Sequence, residues 1–365
     1  MPDWCWFLIG GSVALAALPL SAYYGAVAHY RTKFLEQIVR IFEEKPLFVV
    51  PRGTPSAEAE EVRFTTPSGL TLRGCYLKAT GRRRGVILFG LEFGSDRWSS
   101  VQYCEKLRHA GYDVFAYEPR NQGESDRDPG YAPLQWITDR DLDDARAAVA
   151  YLKARPDADS RGLGIFGISK GGCLAILLAA EDPLVRCVVT DGAYDTYLTM
   201  VPYMRRWVSI YSPRKKLQAI CPDFFFGAIG MGGIRESAVR RNVEFLWVGT
   251  AARSVTVPVF MIHGEADTYI KPDMAKALFR RVRTPEKQLW LVPKAKHNQA
   301  PHIAPQEYHK RLVDFFDDHL GDLTIRFPQK TTATPVVAPA PVPADALVDE
   351  AAVLETAPAN RLTRA

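Results

Sequence analysis

GLGIFGISKGG, residues 162–172, is the stretch that decides the fold. An apolar run leads to Ser169 in a Gly-x-Ser-x-Gly pattern, and a second apolar run, Cys173–Ala180, follows at helical spacing. This order predicts a sharp strand-to-helix turn that exposes the serine hydroxyl. Gly167 and Gly171 are required there, because a side chain at either position would strike the turning backbone. The following helix directs free N–H groups toward the serine, where they would stabilise a developing negative charge.

Length and composition are those of an ordinary globular protein. The 365 residues are 47% hydrophobic and 24% charged, which allows a large core. The formal net charge of +5 is too small to indicate nucleic-acid binding. The six cysteines are scattered without a C-x-x-C pair, so we predict reduced, buried thiols. The sequence has no phosphate-binding glycine loop, dinucleotide fingerprint or metal-ligand cluster, and we expect neither a cofactor nor a metal.

The N-terminal segment is uncharged over 25 residues, Trp4–Ala28. As a helix it would span about 37 Å, enough to cross a hydrocarbon core of about 30 Å, so we predict a transmembrane anchor over residues 1–28. The alternative is a cleaved signal peptide and a secreted or periplasmic protein, because Ala26-Val27-Ala28 resembles a cleavage site. Cations follow the run and none precedes it, which favours a single-pass protein with its body in the cytoplasm.

Residues 29–57 are predicted to form an amphipathic helix and a linker. Apolar side chains recur at steps of three and four residues as far as Phe42, with charges between them. Pro46 and Pro51 are expected to end the helix. This helix would pack on the catalytic body or lie along the membrane surface.

An α/β core is predicted over residues 58–192 and 254–322, where strand and helix patterns alternate. Alternating residues around Pro67-Ser68-Gly69 predict a β-hairpin. Buried strands are then predicted at Gly85–Gly90, Asp113–Tyr117, the run before Ser169, Val185–Thr190, Val257–Ile262 and Lys287–Val292. Helices are predicted at Ser100–Ala110, Asp139–Ala154, Met274–Val282 and Pro305–Leu320. The alternation predicts an α/β fold, with a mostly parallel sheet covered by helices on both faces.

Residues 193–253 interrupt this alternation with many aromatic residues. Turn signals stand at Pro202, Pro213 and Pro222. We predict a mainly helical cap inserted across the C-terminal edge of the sheet. Residues 323–365, which include the Pro/Ala-rich run Thr331–Pro343, have little to bury and are predicted to be disordered.

The predicted cap is locally basic. It has nine Lys or Arg against four Asp or Glu, for which a solvated surface is the simpler interpretation. A sharper hypothesis is that Arg205, Arg206 and Lys215 attract an anionic lipid headgroup or an acyl substrate with an anionic end.

A serine nucleophile needs a base to take its proton, and that base needs an acid to orient it. In this architecture both follow later strands, in the order Ser, Asp or Glu, His. The segment His263-Gly264-Glu265-Ala266-Asp267 follows one late strand, and Lys296-His297-Asn298 follows the next. Because the ends of neighbouring parallel strands converge, we predict that Ser169, Asp267 and His297 meet. Asp191 and Asp195 are alternative candidates for the acid.

These motifs resemble the α/β-hydrolase superfamily, the serine-hydrolase group that includes esterases, lipases and S33-type aminopeptidases. The similarity covers roughly Glu61–Leu320 apart from the cap. The segment Glu118–Ser125 is similar to the family's D-x-R-x-x-G-x-S segment, with Glu in place of Asp. His263-Gly264-x-x-Asp267 matches the acid loop, and His297 follows the last strand as the family's base does. The resemblance implies acyl transfer to Ser169, followed by hydrolysis with water.

The oxyanion loop departs from this family. Where the family has His-Gly after its third strand, this chain has Phe89-Gly90-Leu91-Glu92. The donors are backbone N–H groups, so the resemblance still implies an oxyanion hole formed by Leu91 and Lys170. The Glu92 side chain is expected to face solvent, because a carboxylate directed inward would oppose the oxyanion.

Other polar residues are given structural roles. His263 is expected to shape its loop by hydrogen bonding, and Arg120 to brace the loop that contains it. The last three histidines, His302, His309 and His319, are expected on the surface.

The sequence thus predicts a membrane-anchored serine hydrolase of carboxylesterase or lipase type, which cleaves an ester, thioester or amide of an apolar, lipid-like acyl group. Two alternatives remain. One is a non-catalytic scaffold that binds a ligand or partner. The other is an acyl-CoA thioesterase or acyltransferase, suggested by the dipeptide Ser169-Lys170. The sequence leaves the substrate and the oligomeric state open.

Overall fold

A single twisted sheet forms the centre of the molecule. The computed structural model describes residues 3–44, 50, 52–211 and 221–321, without the side chains of residues 3–16, 210 and 211. Within these residues eight strands form one sheet in the order β1-β2-β4-β3-β5-β6-β7-β8. The strands are β1 (Glu60–Thr65), β2 (Thr71–Leu77), β3 (Gly85–Gly90), β4 (Tyr112–Glu118), β5 (Leu163–Ile168), β6 (Val185–Asp191), β7 (Val259–Gly264) and β8 (Lys287–Val292).

The predicted hairpin is confirmed, because β1 pairs with β2 in antiparallel register around the turn at residues 66–70. Strand β2 is also antiparallel to β4, and every pair from β4 to β8 is parallel. Strands β4, β5 and β7 are buried along their whole length, as expected for strands covered on both faces. The parallel strands therefore end at one common edge, where their following loops can meet.

Helices cover both faces of the sheet. They are α1 (Asp3–Glu43), α2 (Ser99–Tyr103), α3 (Glu105–His109), α4 (Asp139–Ala154), α5 (Lys170–Glu181), α6 (Thr196–Tyr211), α7 (Asp223–Arg241), α8 (Val248–Ala251), α9 (Pro272–Arg281), α10 (Ala300–Ile303) and α11 (Pro305–His319). One apolar cluster includes α4 and α5, and a second includes α3 and α11. Helix α4 begins at a capping box, in which Thr138 and Asp141 satisfy each other's backbone N–H groups.

The predicted α/β-hydrolase fold is confirmed, with local corrections. The helix predicted at Ser100–Ala110 is divided into α2 and α3 at Cys104. Pro202 was read as a turn signal but lies inside α6, whereas Pro222 directly precedes α7 as the N-cap residue. Helices α6, α7 and α8 lie between β6 and β7, within the range predicted for the cap.

The N-terminal region is one helix and not two segments. Helix α1 continues across the boundary predicted between residues 28 and 29, contains Pro19, and ends at Glu43 before the prolines expected to end it. Hydrogen bonding within this long helix continues through the change from an uncharged to an amphipathic sequence at residue 28. The last third of α1 packs on α7, where Gly233 lets the Ile38 side chain approach closely.

A transmembrane helix receives no support from the part of the chain that the structure describes, where no helix is both long and apolar enough to cross a membrane. Side chains of residues 1–16, which belong to the uncharged run, lie outside the described residues. So do Pro46, Pro51, Pro213 and the tail predicted to be disordered at 323–365.

Four of the five cysteines with described side chains, Cys75, Cys104, Cys173 and Cys187, are buried free thiols, as predicted, and Cys221 is half-buried and free. Burial raises the pKa of the Cys104 thiol well above its usual value. A thiol in this state is a poor nucleophile, so these cysteines serve as apolar packing residues.

Candidate active site

Ser169 lies at the sharp turn between β5 and α5, as predicted. Its φ angle of 50° places a non-glycine residue in left-handed backbone. Two backbone hydrogen bonds hold this conformation: Ser169 N donates to Asp191 O at 2.7 Å, and Cys173 N donates to Ser169 O at 3.1 Å. A Cβ at Gly167 would lie 2.3 Å from the Gly171 carbonyl oxygen, so the turn accepts no side chain there.

The structure brings the three predicted side chains into one hydrogen-bonded chain. Ser169 Oγ lies 3.0 Å from His297 Nε2, and His297 Nδ1 lies 2.7 Å from Asp267 Oδ2. Ser169 is 128 residues from His297 in sequence, so the contact depends on the convergence of the ends of β5 and β8. This geometry allows the imidazole to take the serine proton while the carboxylate fixes its tautomer.

Asp267 is oriented by its own loop. Its Oδ1 accepts hydrogen bonds from the backbone N–H groups of Tyr269 and Ile270, each at 2.8 Å. His263 shapes this loop as expected, because its Nε2 donates to the Ile270 carbonyl at 2.6 Å. Gly264 permits the close approach of the histidine loop, since a Cβ there would lie 2.3 Å from Ala295 O. The acid and the base therefore come from two loops in direct contact.

The electrostatic environment of His297 favours its protonated form. Burial opposes the charged imidazolium, but the hydrogen bond and the charge of Asp267, together with the charges of Glu92 and Asp191, outweigh it and raise the pKa of His297 above its usual value. An imidazole of raised pKa is a stronger base toward a serine proton. Burial lowers the pKa of His263, so that second imidazole stays neutral.

The two predicted oxyanion donors flank the turn. Leu91 directly follows β3, and Gly90 before it packs against Gly171 so tightly that a Cβ at Gly171 would lie 2.2 Å from the Gly90 carbonyl carbon. Lys170 is the first residue of α5, so its N–H has no acceptor within the helix. This arrangement can place two N–H groups beside an oxygen bonded to the carbon that Ser169 attacks.

The Lys170 side chain is directed away from Ser169 toward α4. Its Nζ donates to Leu134 O at 2.7 Å and lies 2.8 Å from Asp141 Oδ1, in a pair with side chains 4% and 2% exposed. Buried ion pairs of this kind hold geometry when both partners are present. The lysine therefore ties the start of α5 to the start of α4, a role that sequence reasoning missed.

The Glu92 side chain was expected to face solvent, and this expectation was wrong. The residue is only 5% exposed, and Asn298 Nδ2 donates to its Oε2 at 2.7 Å. Burial raises the pKa of the Glu92 carboxyl above its usual value, and this opposes its ionisation. The only sequence signal for this contact was the asparagine that directly follows His297. In the structure Asn298 adopts a φ of 55°, a conformation that asparagine tolerates.

The other candidates lie outside the hydrogen-bonded chain. Asp191 accepts from Tyr308 Oη at 2.9 Å, and Asp195 accepts from the N–H groups of Leu198 and Gly249. Arg120 braces its segment as expected, through a buried ion pair with Asp144. Of the late histidines, His302 is exposed, whereas His309 and His319 are half-buried.

Aromatic residues stand between the cap region and the site. The Tyr269 ring meets the His297 ring edge-on at 5.4 Å, and the Tyr203 ring of α6 meets Tyr269 at 6.1 Å. Arg205, proposed to attract anions, instead pairs with Asp223 and donates to Cys221 O at 2.8 Å. Lys215 lies outside the described residues.

No group of three or more His, Cys, Asp or Glu side chains within the described ranges is arranged to hold a metal ion.

Comparison with known proteins identifies the family of this chain. The model of the alpha/beta hydrolase family matches residues 88–311. The chain belongs to the alpha/beta hydrolase family. The uncharacterized protein YfhR of Escherichia coli O157:H7 is 24% identical over 280 residues, which cover 74% of this chain and 79% of that protein.

Two further relatives of this alpha/beta hydrolase have names that refer to an activity. The thiohydrolase aneE of Aspergillus aculeatus is 30% identical over 132 residues, 36% of this chain and 40% of that protein. Among solved structures, the esterase Pf2001 of Pyrococcus furiosus matches with a TM-score of 0.56 and 24% identity, covering 76% of this chain and 98% of that one. At that identity the structural likeness shows the fold alone.

Proposed function

We propose that this alpha/beta hydrolase is a serine hydrolase that cleaves an ester or thioester through an acyl-enzyme on Ser169, with His297 as base and Asp267 as acid. The observation that supports it is the continuous chain of two hydrogen bonds, 3.0 Å and 2.7 Å long, from Ser169 Oγ through His297 to Asp267. A serine hydroxyl is inert by itself, and this arrangement is the one that activates it.

In the first half-reaction, Ser169 Oγ forms a bond to the acyl carbon while its proton passes to His297 Nε2. The carbonyl oxygen becomes negative and accepts hydrogen bonds from the N–H groups of Leu91 and Lys170. The bond from the acyl carbon to the leaving alcohol or thiol then breaks, and His297 returns the proton to that leaving group. Asp267 stabilises the imidazolium between these two transfers.

In the second half-reaction, a water molecule replaces the leaving group. His297 takes a proton from the water as its oxygen attacks the acyl carbon, and then gives that proton to Ser169 Oγ as the acyl–serine bond breaks. The products are a carboxylic acid and the free enzyme, so no cofactor enters the balance.

The substrate class rests on the relatives' names and on the aromatic side chains near the triad. Pf2001 is named an esterase and aneE a thiohydrolase. The Tyr269 ring beside His297, and the Tyr203 ring that contacts Tyr269, suit an apolar acyl group. The dipeptide Ser169-Lys170 suggested an acyl-CoA thioesterase or acyltransferase, but the Lys170 side chain is paired with Asp141, so it does not favour an acyl-CoA over other thioesters.

A fluorophosphonate probe tests the reaction type directly. We expect the folded protein to be labelled at Ser169 and the Ser169→Ala variant to remain unlabelled. Ser209→Ala, which removes an exposed hydroxyl from α6, is the matched control and should label like the parent. Absence of labelling in the folded parent would favour the alternative of a non-catalytic scaffold.

The same protein should then be assayed on a panel of substrates. p-Nitrophenyl esters of increasing chain length, beside thioester and amide substrates, separate the classes by kcat/KM. Highest values on esters or thioesters support the proposal, whereas a preference for amides would contradict it.

We also propose that the chain associates with a membrane through residues 1–28, with its catalytic body in the cytoplasm. The support is the uncharged run Trp4–Ala28 and the exposure of Leu18, Leu20 and Tyr24, at 71%, 59% and 63%. Recovery of the full chain in a washed membrane fraction is expected, and a fully soluble full-length chain would contradict it.

A further inference from the structure

Two buried carboxyl groups lie beside the triad without belonging to it. Glu92, directly after the Leu91 donor, is 5% exposed, and Asp191, the last residue of β6, is fully buried. Each has one oxygen in a hydrogen bond, with Asn298 and with Tyr308 respectively. The other oxygens, Glu92 Oε1 and Asp191 Oδ1, have no hydrogen-bond partner in the described part of the chain. Buried carboxyls are costly to keep, so their position calls for a physical explanation.

Asn298 connects the loop of Glu92 to the loop of the proposed base. It is the residue after His297, and it reaches Glu92 across 206 residues of sequence. Its own Oδ1 lies beside Gly192, where a Cβ would be only 2.5 Å away. Gly192 in turn follows Asp191. The oxyanion loop, the histidine loop and the end of β6 therefore meet around one asparagine amide.

Charged and titratable groups face His297 from three directions. Asp267 and His263 belong to β7 and its following loop, Asp191 belongs to β6, and Glu92 belongs to the loop after β3. The carboxyls of Asp267, Glu92 and Asp191 all raise the pKa of His297, and His263 interacts with it electrostatically in the opposite sense. Glu92 interacts electrostatically with His297, with the buried Tyr103 and with Asp191.

We propose that Glu92 is a positioning residue with two effects on the reaction: through Asn298 it holds the histidine loop against the oxyanion loop, and in its ionised form it stabilises the imidazolium of His297. The inference rests on the proposed function, because it assigns Glu92 a role only if His297 acts as the base. It explains why a carboxyl occupies the position next to an oxyanion donor.

The two effects can be separated by substitution. Glu92→Gln removes the charge but keeps a carbonyl oxygen that can accept from Asn298 Nδ2. Glu92→Ala removes both the charge and the hydrogen bond. Glu265→Gln is the matched control, because Glu265 lies on the acid loop two residues from Asp267 but is exposed to solvent.

The measurement is the second-order rate of Ser169 labelling by a fluorophosphonate between pH 5 and pH 9, which requires no knowledge of the natural substrate. Labelling needs neutral His297, so the rate rises with pH through the pKa of His297 to a plateau. With Glu92→Gln the midpoint of this rise should fall by about one pH unit, because the loss of a nearby negative charge destabilises the imidazolium. Its plateau should stay within about threefold of the parent, whereas Glu92→Ala should lower the plateau by tenfold or more, because misplacing a reacting group is costly.

Several outcomes would overturn this inference. An unchanged midpoint in Glu92→Gln removes the electrostatic effect, and an unchanged plateau in Glu92→Ala removes the positioning effect. A shift of equal size in Glu265→Gln would mean that any carboxylate on this face acts alike. Melting temperatures show whether the Ala variant is folded, and the nearly isosteric Gln variant tests the charge in any case. If the parent itself is not labelled at any pH, the proposed function fails, and this outcome differs from all the others.

Discussion

The edge of the sheet where the triad lies and the packing of α1 on α7 are held by different kinds of contact. At the triad edge, backbone lies against backbone: Gly171 against Gly90, and Gly264 against Ala295. Between α1 and α7, side chains make the contacts, with Arg31 and Ile38 lying over Gly232 and Gly233. A backbone contact admits almost no substitution, whereas a side-chain contact can be rebuilt in many ways.

The ion pairs of the two regions differ in their burial. At the start of α5, Lys170 and Asp141 are both buried. Between α1 and α7, Arg240 pairs with Glu36 at an exposed position, and only the pair of Arg241 with Glu43 is half-buried. The triad edge is therefore rigidly specified, while the helices over it are held by replaceable contacts. Substitutions in the two regions should therefore differ in size and in the quantity that they change.

The largest effect is expected from Asp267→Asn. Because the amide favours the wrong imidazole tautomer, kcat on an activated ester should fall by roughly 10³- to 10⁴-fold with little change in melting temperature. Asp195→Asn is the comparison, since that residue was an alternative acid and lies outside the hydrogen-bonded chain. Equal losses of activity in the two variants would show that the acid has been assigned wrongly.

Phe42→Ala should test the packing of α1. Phe42 is 1% exposed, stacks on Trp136 with ring centroids 5.1 Å apart, and its carbonyl accepts from Trp136 Nε1. Its truncation should lower the free energy of unfolding by about 3–5 kcal/mol, measured by denaturant titration. The control is Val239→Ala on α7, a residue 78% exposed, for which we expect a change below about 0.5 kcal/mol. An unchanged free energy of unfolding in Phe42→Ala would mean that α1 does not pack on the body in solution.

Asp191 makes the triad edge sensitive to pH. Burial raises the pKa of its carboxyl from 3.8 to about 7, so the folded protein binds a proton there that the unfolded chain releases above about pH 4. Stability from this group is thus greatest below pH 4 and falls as pH rises from about 4 to about 7, by at most about 4 kcal/mol.

Asp191→Asn should remove this loss, because the amide stays neutral and its oxygen still accepts from Tyr308. Relative to the parent, the variant should gain stability steadily between pH 5 and pH 7.5 in thermal unfolding. A difference between the two proteins that does not vary with pH would contradict the raised pKa.

The smallest effect is expected from Arg240→Gln. This arginine lies on the exposed face of α7 and pairs with Glu36 and Glu236 in water, where such pairs contribute little. We expect no measurable change in melting temperature. Arg241→Gln should lower the melting temperature more, because it leaves the half-buried Glu43 without its partner. A larger loss at Arg240 than at Arg241 would reverse our view of which contacts hold α1.

The meeting of Ser169, Asp267 and His297 could be predicted because the position of each depends on local signals. Two glycines around Ser169 leave one backbone path, and the ends of successive parallel strands must lie side by side. The orientation of Glu92 could not be predicted, since it depends on a hydrogen bond to Asn298, 206 residues away. Nothing within the loop itself determines which side of the sheet edge that carboxyl faces.

The helices over the sheet were harder to predict from the sequence, because their limits also depend on contacts between distant segments. Pro202 reads as a turn signal locally, yet α6 continues through it because tertiary packing outweighs the loss of one backbone hydrogen bond. The division of the N-terminal region at residue 28 followed composition, but helix continuity does not depend on where charges begin. Contacts between distant segments decide both cases.

The meeting of Gly90 with Gly171 has an evolutionary consequence. The backbones of Gly90 and Gly171 set the spacing between the loop of Leu91 and Ser169, so no gradual series of side chains can adjust that spacing. Any residue other than glycine at either position would displace the two loops. Divergence toward new substrates must therefore proceed elsewhere, through the aromatic residues of α6 and the loop of Tyr269, where one ring can be exchanged for another while the reacting groups stay in place.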